Sequence, residues 1–113
     1  MKKLNDFLQL IPHNILSSRQ LIEAILISGG YVSDLLSDVM GSAKENEVWI
    51  TIMCHLNVVA VASLASIPVV IFSKGIIPGK VVIEKAESED IILISSDLNT
   101  FELSGKLYGF MSE

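Results

Sequence analysis

The chain has one cysteine and one arginine, and each scarcity excludes something. Cys54 has no partner for an internal bridge, and a lone thiol fits a reducing compartment, so a cytoplasmic location is expected. Arg19 is the only arginine, and the formal net charge is −5 at pH 7. Binding to nucleic acid rests on Lys and Arg neutralising phosphates, so that function is not expected, nor is docking on an anionic membrane surface. No glycine-rich run ends in Gly-Lys-Ser/Thr, which removes the phosphate-binding loop of nucleotide hydrolases. Gly29-Gly30 is too short for a dinucleotide fingerprint. Cys and His do not cluster at metal-ligand spacing, and no cofactor is expected. The weakly basic start at Met1 is interrupted by Asp6, so no signal peptide is expected.

Charge is absent altogether from Val48 to Ser73, a stretch long enough to pose the question of a membrane span. His55, Asn57, Ser63, Ser66 and Pro68 break it into pieces. Trp49–Ile52 and Val69–Phe72 are β-branched or aromatic and of strand length, and an Ala/Ser-rich piece lies between them. Strand, helix, strand inside a buried parallel sheet accounts for this pattern.

What is present is apolar substance. Half of the 113 residues are hydrophobic, enough for one domain over residues 1–113 with a core of its own. Lys3 to Leu10 reads as an amphipathic helix ended by Pro12. Asn14–Ser17 fits a short strand, Arg19–Ile22 is ambiguous, and Ala24–Ser28 reads as an apolar strand broken by Gly29-Gly30. Ser33 is expected to cap a helix in which Asp34 complements the dipole and Leu35, Leu36, Val39 and Met40 form the apolar face. Gly41 closes that helix.

A repeated plan follows. Trp49–Met53, Val69–Ser73 and Ile91–Ser95 read as strands. Asn57 to about Ser66, Lys80 to about Ser88 and Asn99–Met111 read as the helices after them. Ile67 is pushed out of helical geometry by Pro68. Asn57 is expected to cap the first helix. Asn99 and Glu102 have capping-box spacing at the start of the last, whose core stripe is Leu103, Leu107 and Phe110. Strand–helix alternation predicts βαβ crossovers and an α/β fold: a three-layer α/β/α sandwich with a mostly parallel sheet.

In such a sheet ligands bind outside the carboxyl ends of the strands. That rim carries His55, Asn57, Ser73, Lys74, Gly75, Ser95 and Asp97, and these form the candidate ligand site. Lys74 is the nearby positive charge and favours an anion, with helix-start amides in support. The plainer reading is that these are turn and cap residues. Cys54 and His55 are adjacent on an extended chain and point to opposite sides, so they are not paired as nucleophile and base. Asp34 and Asp38, four apart, fit a solvated helix start. No catalytic residue is expected.

Several blocks also resemble a known family. Gly29-Gly30-Tyr31-Val32-Ser33-Asp34-Leu35-Leu36-Ser37-Asp38-Val39-Met40 is similar to the opening motif of small stand-alone DRTGG-domain proteins. Trp49–Ile52 with His55–Ala62 resembles their second block, and Thr100-Phe101-Glu102 with Gly105–Tyr108 resembles their last helix. The similarity covers Gly29 to the C-terminus. The wider family is similar to the N-terminal domain of HPr kinase/phosphorylase, and occurs beside CBS domains in some pyrophosphatases and within some phosphate acetyltransferases. The resemblance implies a regulatory or oligomerising role, hence a homodimer. Together with the rim, the expected function is a module that senses a small anionic or nucleotide-like ligand, or else a subunit that docks on a redox (iron hydrogenase-associated) or kinase partner. The resemblance implies no kinase activity, because the phosphate-binding loop belongs to a domain this chain lacks. The residues that name the domain fall around Cys54-His55-Leu56 and Lys74-Gly75, where its Asp, Arg, Thr and first Gly are replaced.

Overall fold

The computed structural model describes residues 1–17 and 22–113. Residues 18–21, which hold most of the ambiguous Arg19–Ile22 stretch, lie outside the described residues.

The uncharged stretch resolves into β5 (Glu47–Thr51), α3 (Asn57–Leu64) and β6 (Val69–Phe72). Among the described residues no helix is long and apolar enough to cross a membrane. With β7 (Ile92–Ser95) and β4 (Gly29–Val32), β5 and β6 form a parallel set in the order β7-β6-β5-β4. Strand β2 (Asn14–Ser17) closes the other side of the five-stranded sheet, antiparallel to β7, with a register irregularity between Ile15 and Ser17. Two short strands, β1 (Lys2–Lys3) and β3 (Leu26–Ile27), pair separately.

Successive side chains of a strand point to opposite faces, and here both faces are apolar. Val48, Ile50, Val69, Ile71, Ile92 and Ile94 pack with Leu4, Phe7 and Leu8 of α1 (Leu4–Leu8) and with Leu103 and Leu107 of α5 (Thr100–Met111). Trp49, Val70, Phe72 and Leu93 face the opposite way. They pack with Val39 of α2 (Leu36–Ser42), with Val58, Val59 and Ala62 of α3, and with Val82 and Ala86 of α4 (Lys80–Ser88). The result is the expected α/β sandwich, a mostly parallel sheet between two helical layers.

Local chemistry sets the helix ends. Asn99 and Glu102 form a capping box at α5: the Glu102 amide donates to Asn99 Oδ1 at 2.8 Å and the Asn99 amide to Glu102 Oε1 at 3.4 Å. Helices α3 and α4 end alike. Ser66 (φ 58°) and Asp90 (φ 57°) turn left-handed. The following amides, Ile67 and Ile91, then reach back 2.9 Å to the carbonyls of Ala62 and Ala86. This is the Schellman arrangement with a polar residue where glycine is commoner.

The structure corrects several expectations. Gly29-Gly30 does not break a strand; it begins β4, while the Ala24–Ser28 strand shrinks to Leu26–Ile27 after a 3₁₀ turn at Ile22–Ala24. The physical reason is the helix above: a Cβ at Gly30 would overlap Leu107 Cδ2 and press on Leu107 Cγ at 3.3 Å. Helix α1 ends at Leu8, short of Leu10. Ser33 does not cap α2, whose N-cap is Leu35; the helix also runs past Gly41 to Ser42. Of its supposed apolar face only Val39 is fully buried, while Leu35 and Met40 are exposed.

Candidate functional site

The carboxyl ends of β5, β6 and β7 meet the starts of α3, α4 and α5, as expected for parallel strands followed by helices. Around β6 and β7 the rim is sewn together. Ser73 is fully buried, and its Oγ shares a 2.6 Å hydrogen bond with Thr100 Oγ1. Ser95 is also buried and donates to the Ile76 carbonyl at 2.8 Å. Lys74 (φ 62°) and Gly75 (φ 67°) are both left-handed, and their amides donate to the carbonyls of Leu98 and Ser96, each at 2.8 Å. A Cβ on Gly75 would stand 3.0 Å from Asp97 Oδ1 in a conformation side chains rarely adopt, so glycine is required there.

Ser73, Lys74, Gly75, Ser95 and Asp97 are thus drawn into one corner, but in two roles. The serine hydroxyls are spent on holding the loops. The Lys74 side chain is left exposed on a backbone that two buried hydroxyls and two interloop bonds hold in place.

His55 and Asn57 form a separate local unit. The Asn57 amide donates to His55 Nδ1 at 3.0 Å. Asn57 is the first residue of α3 rather than its cap, so His55 does the capping assigned to Asn57. With Nδ1 accepting, the proton of a neutral ring sits on Nε2. Both residues are exposed, as is Cys54.

One neighbouring cluster was not anticipated. Asp34 does not sit at a helix dipole; its Oδ1 accepts from Thr51 Oγ1 at 2.7 Å and from the Ile52 amide at 2.9 Å. Thr51 Oγ1 in turn accepts from the Met53 amide at 3.1 Å. Asp34 therefore latches the end of β4 to the end of β5. The sequence signal was a polar residue near the carboxyl end of each of two neighbouring strands, Asp34 two residues past β4 and Thr51 at the end of β5. Thr100 was also missed, although it is the first residue after a recognised cap. Among the described residues no group of three or more His, Cys, Asp or Glu is placed to hold a metal ion.

Away from the rim, a cleft of about 600 Å³ lies between the outer edge of β4 and the side of α5, with Gly30, Val32, Phe101, Gly105 and Tyr108 in its lining. On the opposite face of β4, the Tyr31 hydroxyl donates to Asp38 Oδ1 at 2.9 Å. The Tyr31 phenol is held above its ordinary pKa. A hydrogen bond with Ser42 pulls the value down, but it is outweighed by the bond to Asp38, by desolvation, and by the negative charges of Asp38 and Glu47.

No protein-family model and no curated protein matches this chain. Among solved structures it is similar to the CBS and DRTGG domains of the regulatory region of Clostridium perfringens pyrophosphatase, a structure complexed with the activator diadenosine tetraphosphate. The TM-score is 0.72 at 16% identity, covering 94% of this chain and 46% of that one. This chain thus spans under half of the structure it matches, and the likeness is one of fold: a DRTGG-like α/β sandwich.

Proposed function

We propose that this protein is a non-catalytic regulatory module that senses a small anionic or nucleotide-like ligand at the carboxyl rim of its sheet and self-associates. The observation that carries the reading is the fold shared with a regulatory region whose own activator is a dinucleotide polyphosphate. The rim adds chemical support. Lys74 presents an exposed ammonium from a rigid, left-handed turn, and His55 offers a ring nitrogen near the start of α3. In this reading Lys74 pairs with ligand charge, His55 and Asn57 supply directional hydrogen bonds, and Gly75 and Asp97 form the margin. Ser73 and Ser95 position the loops from beneath. Asp97 opposes an anion and sets a preference for ligands that reach past it.

The test is a titration of the full chain with ATP and with diadenosine tetraphosphate, followed by backbone amide NMR shifts. Shifts should gather at 55–57, 74–75 and 97, and Lys74→Ala should weaken binding about tenfold, the scale of one charge-assisted contact. Shifts confined to α2 or the β4–α5 cleft, or none at millimolar ligand, would overturn the site.

A second reading, a subunit that docks on a redox or kinase partner, is favoured by the exposure of Phe101 (87%) and Tyr108 (77%) on α5. Both line the same cleft, and a contiguous exposed apolar patch is the kind of surface that marks a contact site.

A further inference from the structure

We infer that the β4 edge and the outer face of α5 form the contact surface for a second copy of this chain, the two related by a two-fold axis. The inference rests on the self-associating part of the function proposed above and gives that part its surface.

The first observation is the state of the edge. Among the described residues β4 is hydrogen-bonded to β5 alone, pairing in unbroken register over Gly29–Val32. Proteins blunt such edges with charge, proline or a bulge. β4 carries none of these; its sequence is Gly-Gly-Tyr-Val. The second observation is the helix beside it. Leu107 packs against the bare Gly30, which seats α5 close over β4 and leaves the cleft open along the strand. The charged residue in the lining, Glu47, sits at the start of β5, where its Oε1 accepts from the Lys44 amide at 2.6 Å.

The occupant follows from what the surface matches. A two-fold axis normal to the sheet makes β4 antiparallel to its copy and sets the two α5 helices side by side, also antiparallel. A surface that meets itself must carry its own complements. Centring the helix pair between Ser104 and Gly105 puts Phe101 opposite the partner's Tyr108, and Tyr108 opposite the partner's Phe101. The crossing point then holds serine and glycine, which let the axes approach closely. This register also brings Glu102 within one residue's rise of the partner's Lys106 on one flank. These are the two charged residues of α5, and both are exposed. A parallel arrangement would instead set Glu102 against its own copy. The aromatic and small positions therefore match at one antiparallel register, and the charged pair lies one residue from it.

The test is sedimentation equilibrium of the full chain at low salt, with four variants. Wild type should associate to twice its 12.3 kDa mass. Phe101→Ala should raise the dissociation constant about a hundredfold, as expected for a central aromatic anchor. Glu102→Lys and Lys106→Glu each set like charges together twice per dimer and should raise it about tenfold. The double variant should return to within about threefold of wild type. Glu102→Lys also loses its capping contact, but the double variant shares that loss, so recovery isolates the interchain pair. A wild-type chain monomeric up to millimolar concentration would overturn this surface together with the self-associating reading. A wild-type dimer indifferent to all four variants would overturn the surface alone, as would single defects that the double variant does not repair.

Discussion

The two edges of the sheet are built to opposite specifications. β2 runs antiparallel to its neighbour, carries the register irregularity between Ile15 and Ser17, and begins two residues after Pro12. Those are the devices that stop an edge from recruiting another strand. β4 runs parallel, keeps its register, and has a bare Gly30 beneath α5. One edge is finished by its own irregularity; the other is shaped by a helix that needs the strand bare. The contrast shows that an edge strand's residues answer to what lies across it as much as to its own pairing.

Substitutions can break the contrast. Gly30→Val should be the most damaging, because the new side chain meets Leu107 in a filled layer; a loss of about 2 kcal/mol is expected for overpacking of this kind. Ile15→Thr on the opposite edge, where Ile15 is 47% exposed, should cost under about 0.5 kcal/mol. Urea unfolding of both variants measures the difference, and equal costs would show that the edges are not distinct.

A smaller effect sharpens the same comparison. The latch from Asp34 to Thr51 and Ile52 ties the end of β4 to the sheet. Thr51→Val removes a buried hydroxyl with two partners and should cost about 1–2 kcal/mol. Hydrogen exchange should show the loss as faster exchange in β4 with little change in β2. A uniform change across both edges would count against the latch.

The smallest effect is electrostatic. Tyr31, in β4, should titrate above the ordinary tyrosine value of about 10. Because the fold holds that proton more tightly, the associated stability is present below that ordinary value and is lost as pH rises through the folded one. The phenolate absorbance of wild type minus that of Tyr31→Phe reads the midpoint, and a midpoint at or below about 10 would refute the shift.

Much of this was legible in the residues. The span of α4 and the Asn99–Glu102 cap follow from local periodicity and spacing, which tertiary contacts did not alter. The β5, β6 and β7 part of the parallel set was readable because those strands are apolar on both faces; β4 was not. What could not be read depends on residues distant in sequence. Gly29-Gly30 looks like a break until Leu107, far along the chain, is seen to occupy the space. Asp34 looks like a helix-start acid until Thr51 arrives beside it. At the rim, Ser73 and Ser95 had the right position, but whether a hydroxyl turns outward or inward is decided by Thr100 and Ile76. His55 and Asn57 exchanged roles for a similar reason: a ring nitrogen two residues back reaches the first helical amide as well as an Asn side chain would.

The pairing of β2 with β7 has a consequence for how the chain comes to be folded. Ser17 donates to the carbonyl of Ile91, 74 positions further on, and Lys2 to that of Phe110, 108 positions on. A sheet joined over such separations forms slowly, because the entropy of closing the loop is spent before the contact is made; milliseconds to seconds is the expected scale. During synthesis the delay is longer still. At about 5–20 residues per second, the segment that becomes β2 emerges roughly four to fifteen seconds before the strand it must meet. For that interval it is an unpaired strand in a crowded cell. Pro12 beside it, and a sequence that pairs out of step, make it a poor template for any strand but the one still to be made.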